Sequence, residues 1–283
     1  MTAAAPSVGV PVPPRPGLGP RFAGGVRHYA PAIVVFAGGI LLWEVLIRAL
    51  DVRGFILPAP SAIGAALVEN WGAGRWPLFE SARTTLYEAI GGLIIGTLAG
   101  LVVAFAVSRW ANARDAVLPV AIAANAIPII AIAPIFNAWF GVTNPLSKMM
   151  ISALLVFFPV MINVTRGLTQ VEPSALELMR SYAASETTVL RKVRIPNALP
   201  FFFTALKVAT TLSLIGAIVG EYFGGSSTVI GRVVVQSASA LRFDVTWAAI
   251  LLGAVTGIVF YLIIVVLERA FIPWHASVRA DSA

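Results

Sequence analysis

The 283-residue sequence has no cysteine, two histidines, and charged side chains at only 12% of positions. Without cysteine there is no disulfide framework, no thiolate nucleophile and no Cys-ligated metal, and imidazole chemistry is confined to His28 and His275 near the two ends. No paired acidic motif, metal-ligand spacing or Ser/His constellation appears, which argues against an enzyme acting within the membrane. No G-x-x-x-x-G-K-[ST] phosphate loop occurs either, so this chain does not hydrolyse nucleotide itself.

What the chain has in abundance is apolar side chains, 58% of the total, with a mean hydropathy of +0.88. That lies far outside the soluble range and identifies an integral membrane protein. Six apolar segments, roughly 30–50, 84–108, 116–136, 145–165, 200–222 and 245–267, are each about long enough to cross a hydrocarbon core of about 30 Å. A spanning segment must satisfy its own backbone hydrogen bonds, and these runs are too long and too uniformly apolar for barrel strands. The expected fold is therefore all-α, a polytopic bundle of about six transmembrane helices. Residues 1–27, rich in Pro, Gly and Ala, read as a flexible tail, followed by a membrane domain over 28–275 and a short tail over 276–283.

The net charge of +7 is not gathered into one stripe, so it reads as a topology signal and not as a nucleic-acid footprint. With the N-terminal tail inside, twelve Lys and Arg fall on the cytoplasmic side and seven, Lys148 among them, on the outside; Lys207 lies within the fifth span. The excess places both termini in the cytoplasm. Outside, Leu57 to Ser61 predict a turn and a short interfacial helix with Ser61 as N-cap.

Inside the spans, Gly92, Gly96 and Gly100 recur every fourth residue, as do Gly216 with Gly220 and Gly253 with Gly257. Small residues at that spacing let helix backbones approach closely in lipid. Ionised groups in spans are costly, so Glu44, Glu88, Lys207, Glu221 and the amides of Asn125, Asn137 and Asn163 need partners or water. Glu88 with Lys207 is one pairing that charge suggests. Pro128 and Pro134 interrupt the third span, and irregular backbone at membrane depth suits a cavity wall. Glu88, Asn125, Pro128, Asn163 and Glu221 are accordingly the candidate pathway residues, alongside a packing role for each.

Between the fourth and fifth spans lies a charged island over 172–200, including ELMRSYAASETTVLRKVRIPNALP. Its pattern predicts two short helices on the cytoplasmic face: Ala175 to about Ala183 with Ser174 as N-cap, and Ser185 to Val193, ended by Pro196 and Pro200. Leu176, Met179 and Tyr182 make one apolar face, and Val189, Leu190 and Val193 another, suited to a groove on a soluble partner or to anionic lipid. This segment resembles the cytoplasmic signature of the permease subunits of binding-protein-dependent ABC importers: EAA, three residues, Gly, nine residues, then Ile, any residue, Leu and Pro. Glu177, Leu178 and Met179 align with EAA, Ala183 with the glycine, and Val193, Arg194, Ile195 and Pro196 with the end, all at full spacing. Ala183 stands where glycine would take a positive φ cheaply. Similarity extends from about Trp43 to Trp274, through LPAPSAI, IPIIAIAPIFNAWFG, LVFFPVMINVTRGL, GAIVGEYFGG and LERAFIPW, and is greatest to the nitrate, sulfonate, taurine and pyrimidine-precursor branch.

The resemblance implies a type I importer permease with a coupling helix pair, in which Glu177, Ala183, Ser185, Val193, Ile195 and Pro196 engage ATPase subunits. It further implies a second permease chain, read as an identical copy, an extracytoplasmic substrate-binding protein, and location in the bacterial inner membrane. ATP and Mg would be held by the ATPase partner, with no cofactor in this chain, and alternating access would be driven by closure of the ATPases. The segment LKVATTLSLIGAIVGEY leans toward pyrimidine thiamine precursors or riboflavin as solute. The competing reading is an ion-gradient-driven transporter with Glu44, Glu88 and Glu221 as coupling sites.

Overall fold

The computed structural model of the protein describes residues 20–72, 74–124 and 126–272. All regular structure among them is helical. The chain divides into two units, one ending at Val52 and the other beginning at Arg53. The first contains α1 (Pro20–Ala49), which starts inside the stretch read as a tail; an ion pair of 2.6 Å joins its Glu44 and Arg48 one turn apart. Residues 1–19 and the C-terminal tail lie outside the described residues.

The second unit contains α2 (Pro60–Glu69), α3 (Leu78–Ser108), α4 (Ala111–Ala124), α5 (Ile129–Phe140), α6 (Pro145–Thr169), α7 (Pro173–Ser181), α8 (Glu186–Val189), α9 (Ile195–Tyr222), α10 (Ile230–Ser239) and α11 (Phe243–Phe271). Five helical stretches are long and apolar enough to cross a membrane: Ala30–Ala49, α3, α6, the continuous run Glu186–Tyr222, and α11. The α4–α5 stretch is apolar enough only as a pair, and its 93° bend makes it a broken span or a re-entrant loop. The break falls at Pro128, the extended N-cap of α5, because proline lacks an N–H and keeps the preceding residue out of the helical region. Pro134, by contrast, is carried inside α5. Asn125 lies outside the described residues.

Two predicted caps shift by a residue or more. α2 starts at Pro60 with Ala59 as N-cap, and α7 starts at Pro173 with Glu172 as N-cap; neither cap makes a side-chain bond. In both cases proline takes the first helical position, where its missing N–H costs nothing, and this moves Ser61 and Ser174 into the helix.

The core is a three-helix sandwich with α6 in the middle, α3 parallel to it and α9 antiparallel. Its spacing is set by glycine. A Cβ on Gly96 would stand 2.5 Å from the carbonyl oxygen of Ala153, and one on Gly216 would stand 2.7 Å from Cα of Ser152. Gly92 meets Ser152 from the other side. Ser152, fully buried between the two stripes, donates from Oγ to the carbonyl of Ser213 across 2.8 Å. The third expected stripe behaves differently: Gly253 faces nothing closer than 3.7 Å and borders an apolar cleft of about 420 Å³ between α9, α10 and α11.

α7 ends in a Schellman motif: the Ala184 N–H bonds the carbonyl of Met179 and the Ala183 N–H that of Arg180, at 3.0 and 2.9 Å. Ala183 adopts φ +49°, so the left-handed turn that glycine makes cheaply is kept with an alanine in it. Ser185 caps α8, its Oγ accepting from the Thr188 N–H at 3.4 Å. α8 does not stop at Pro196. It passes through a π-turn, Leu190–Arg194, where the Ile195 N–H reaches the Leu190 carbonyl five residues back, and runs straight into α9. The widened turn re-phases the helix around a residue that has no N–H to give.

Gly96→Ala is expected to destabilise the folded chain by about 1–3 kcal/mol, as overpacking against a backbone oxygen cannot be relieved by a rotamer change. Gly64→Ala, in open space on α2, should instead be neutral or gain up to about 1 kcal/mol from helix propensity; thermal unfolding in detergent of the two variants compares them. Ala183→Gly should relieve about 1 kcal/mol of left-handed strain, slowing amide exchange across α7 by roughly fivefold.

Candidate functional site

Two clusters of functional side chains emerge, at opposite ends of the three-helix core. The first is the α7–α8 module at the end where α6 stops and α9 begins. Neither α7, α8 nor the π-turn contributes a buried residue, although α7 carries Leu176, Leu178 and Met179. Leu178 is 54% and Tyr182 76% exposed, and Glu177 is exposed beside them. A cleft of about 140 Å³ separates α7 from α8, lined by Leu176, Arg180, Ala184, Glu186, Val189 and Arg194. Of the signature residues, Glu177, Ala183 and Ser185 lie on the open surface, while Val193, Ile195 and Pro196 are half-buried where the helix joins the core. Asn197, not foreseen from sequence, fixes that junction: its side-chain amide donates to the carbonyls of Gly167 and Gln170 at 2.8 and 3.1 Å, tying the start of α9 to the end of α6. α8 and α9 are thus one continuous helical run, Glu186–Tyr222, anchored to α6 through Asn197.

The second cluster brings together two of the predicted pathway residues. Glu88 of α3 and Glu221 of α9 lie within hydrogen-bonding reach of each other, and the charge of Lys148 of α6 is felt at both. All three are buried, with 3%, 0% and 0% of their surface exposed. Lys148 donates from Nζ to the carbonyl of Val142, Glu221 Oε2 accepts from the Gly231 N–H at 2.6 Å, and Thr85 Oγ1 accepts from the Ile230 N–H at 3.0 Å. The first amides of α10 are thus capped by side chains of α3 and α9, since its own N-cap, Val229, offers none. The Asn137 amide closes the cluster by donating to the Gly220 carbonyl at 3.2 Å.

Two sequence expectations are corrected here. Lys148, counted among the outer loop charges, is the largest fully buried side chain; its place just inside the 145–165 span was the available signal. Lys207 does not pair with Glu88 but with Glu268 of α11, at 2.9 and 3.1 Å, a carboxylate the sequence reading did not single out. The remaining pathway candidates stay apart from the cluster. Asn163 donates back to its own helix at the Pro159 carbonyl (2.8 Å), and Pro128 is exposed at the α4–α5 break. None of the pathway candidates lines the large α9–α11 cleft.

At the same end, Trp76 is buried between cations, with the guanidinium carbons of Arg75 and Arg242 at 5.1 and 5.5 Å from its ring. Hydrogen bonds to Asp244 raise the Arg242 guanidinium still further above its usual range.

The chain is 32% identical to a probable ABC transporter permease of Haemophilus influenzae over 80% of this chain and 90% of that protein. It is 29% identical to the formylaminopyrimidine transport permease of Halalkalibacterium halodurans, over 83% and 92% respectively. With the riboflavin transport system permease of Chloroflexus aurantiacus it shares 26% over 84% and 87%. The crystal structure of an amino acid ABC transporter with histidines has the same fold, with a TM-score of 0.56 at 19% identity over 69% of this chain and 94% of that one. Residues 92–274 match the model of the binding-protein-dependent transport system inner membrane component, which takes in α4 to α11 and the second half of α3. The chain belongs to that family of multi-pass ABC transporter permeases.

Proposed function

We propose that this chain is the permease of an ATP-driven importer in the bacterial inner membrane, with both termini cytoplasmic, and that α7–α8 is the surface its ATPase subunits grip. The observation that carries the reading is the exposed α7–α8 module: an amphipathic pair with signature spacing that buries none of its own residues, yet is continuous with a core helix. A helix that leaves Leu178 and Tyr182 in water gains little by itself, and an amphipathic face of this kind fits a groove on a partner. ATP and Mg belong to that partner. A second copy of this chain completes the pathway, and an extracytoplasmic binding protein delivers the solute. Alternating access then follows from movement of α8, which the π-turn and Asn197 hand to α9 and α6.

The solute we infer is a small polar molecule of the pyrimidine-precursor or riboflavin type, since relatives bearing those transport names match over more than four-fifths of this chain. Titration of the cognate binding protein with pyrimidine, riboflavin, taurine, sulfonate and nitrate ligands tests that choice.

Glu177→Lys is expected to weaken ATPase association by at least about 2 kcal/mol, roughly 30-fold, and to abolish ATP-dependent uptake in proteoliposomes while the chain itself stays folded. Removal of residues 183–185 should do the same. Retention of the ATPase and of uptake in both variants would sink the coupling role. Uptake that persists without ATP and collapses with the proton gradient would instead identify an ion-driven transporter.

A further inference from the structure

The buried cluster at the far end of the core leaves three acceptor oxygens with no donor: Glu88 Oε2, Glu221 Oε1 and Asn137 Oδ1 are each wholly buried and unbonded. The other Glu221 oxygen is taken by the Gly231 amide, and the single cation present, Lys148, also donates to the Val142 carbonyl. Two carboxylates at hydrogen-bonding distance in a buried site cannot both stay ionised, because their repulsion adds to the cost of removing each from water. One proton answers the carboxylate part of this arrangement. It makes one carboxyl a donor and the other its acceptor, and leaves one carboxylate against one ammonium.

We propose that Glu88 and Glu221 form a buried proton-binding site, holding one proton between them, so that with Lys148 they make a net-neutral cluster clamping α10 onto α3, α6 and α9. The groups around the pair are Lys148 from α6, the Thr85 hydroxyl from α3, the Gly231 amide from α10 and Tyr222 beside Glu221 on α9, with the Asn137 amide of α5 on the neighbouring Gly220 carbonyl; of these Lys148 is the one cation. Space at the site is closed: a Cβ on Gly231 would lie 2.6 Å from the Glu221 Cβ and 2.9 Å from its Oε2. Glu88 and Glu221 are positioning residues in this scheme. Glu221, with Thr85, holds the N-terminus of α10, whose own N-cap Val229 offers no side-chain bond, and Glu88 acts through Glu221.

Infrared spectroscopy of the full-length chain in lipid nanodiscs, in neutral buffer, tests the proposal. Ordinary carboxyl groups are then ionised, so a carbonyl-stretch band of a protonated carboxylic acid, shifted on exchange into heavy water, reports the shared proton. The wild type is expected to show one such band. It should vanish in Glu88→Gln and in Glu221→Gln, since each leaves a single carboxylate facing Lys148, and it should strengthen about twofold in Lys148→Met, where the second carboxyl must also be neutralised. A wild-type spectrum without the band, meaning that both carboxylates are ionised and held by water or a cation, overturns the proposal. So does survival of the band in either glutamine variant that remains monodisperse and helical. Should neither variant fold, the wild-type spectrum decides alone.

Discussion

Everything in this bundle depends on how closely α6 can be approached from both sides. In lipid there is no hydrophobic gain from pressing apolar helices together, since the solvent is as apolar as the side chains, so cohesion comes from dense packing and from hydrogen bonds that close contact permits. Gly92, Gly96 and Gly216 supply that contact, bringing α3 and α9 to within van der Waals reach of the backbone around Ser152. Only at that distance does the Ser152 hydroxyl reach the Ser213 carbonyl. The same closeness creates the problem that the rest of the structure solves. Helices this tight leave Glu88, Lys148 and Glu221 buried at the end of the core away from α7, so they must answer to one another.

The two ends of the core answer to opposite demands. At the α2–α10 end, every element is tied down: α10 is capped by foreign side chains, Trp76 is held between two guanidinium groups, and the buried charges are clustered. At the other end α7 and α8 bury nothing and are joined to the core by a Schellman turn, a π-turn and one asparagine. A rigid far end and a lightly attached near end suit a device that takes a push at one face. The π-turn is the part best placed to absorb a change in helix phase, and its position between the exposed α8 and the packed α9 is where such a change would enter the membrane.

What could be read from sequence was whatever depends on local chemistry. Six apolar runs gave the spans, Pro128 gave the broken one, and Ser185 three residues before Thr188 gave a cap. The spacing from Glu177 to Pro196 gave the exposed module. What escaped depends on partners far apart in the chain. Nothing near Lys148 announces that Glu88 and Glu221 will surround it, and its position at the mouth of a span made a loop charge the natural reading. α10 was missed because Ile230 to Ser239 has no N-cap of its own; its caps come from residues 10 and 145 positions away. Pro196 misled for a related reason. Proline rules describe a helix in α phase, and the chain met that proline in π phase.

Ala183 shows how far spacing outranks identity at such a site. Glycine relieves strain at a left-handed position, but the Schellman bonds from Ala183 and Ala184 to Arg180 and Met179 exist whatever the side chain, and they recover part of the cost of about 1–2 kcal/mol that a Cβ incurs there. The cap ends α7 within the few residues before α8 and leaves Ser185 extended to start the next helix. An alanine in this turn also leaves α7 less firmly ended than a glycine would. In the proposed coupling role, a helix that is only marginally fixed on its own would draw its order from a partner covering Leu178 and Tyr182, and the strain at Ala183 would be a cost that the bound state offsets.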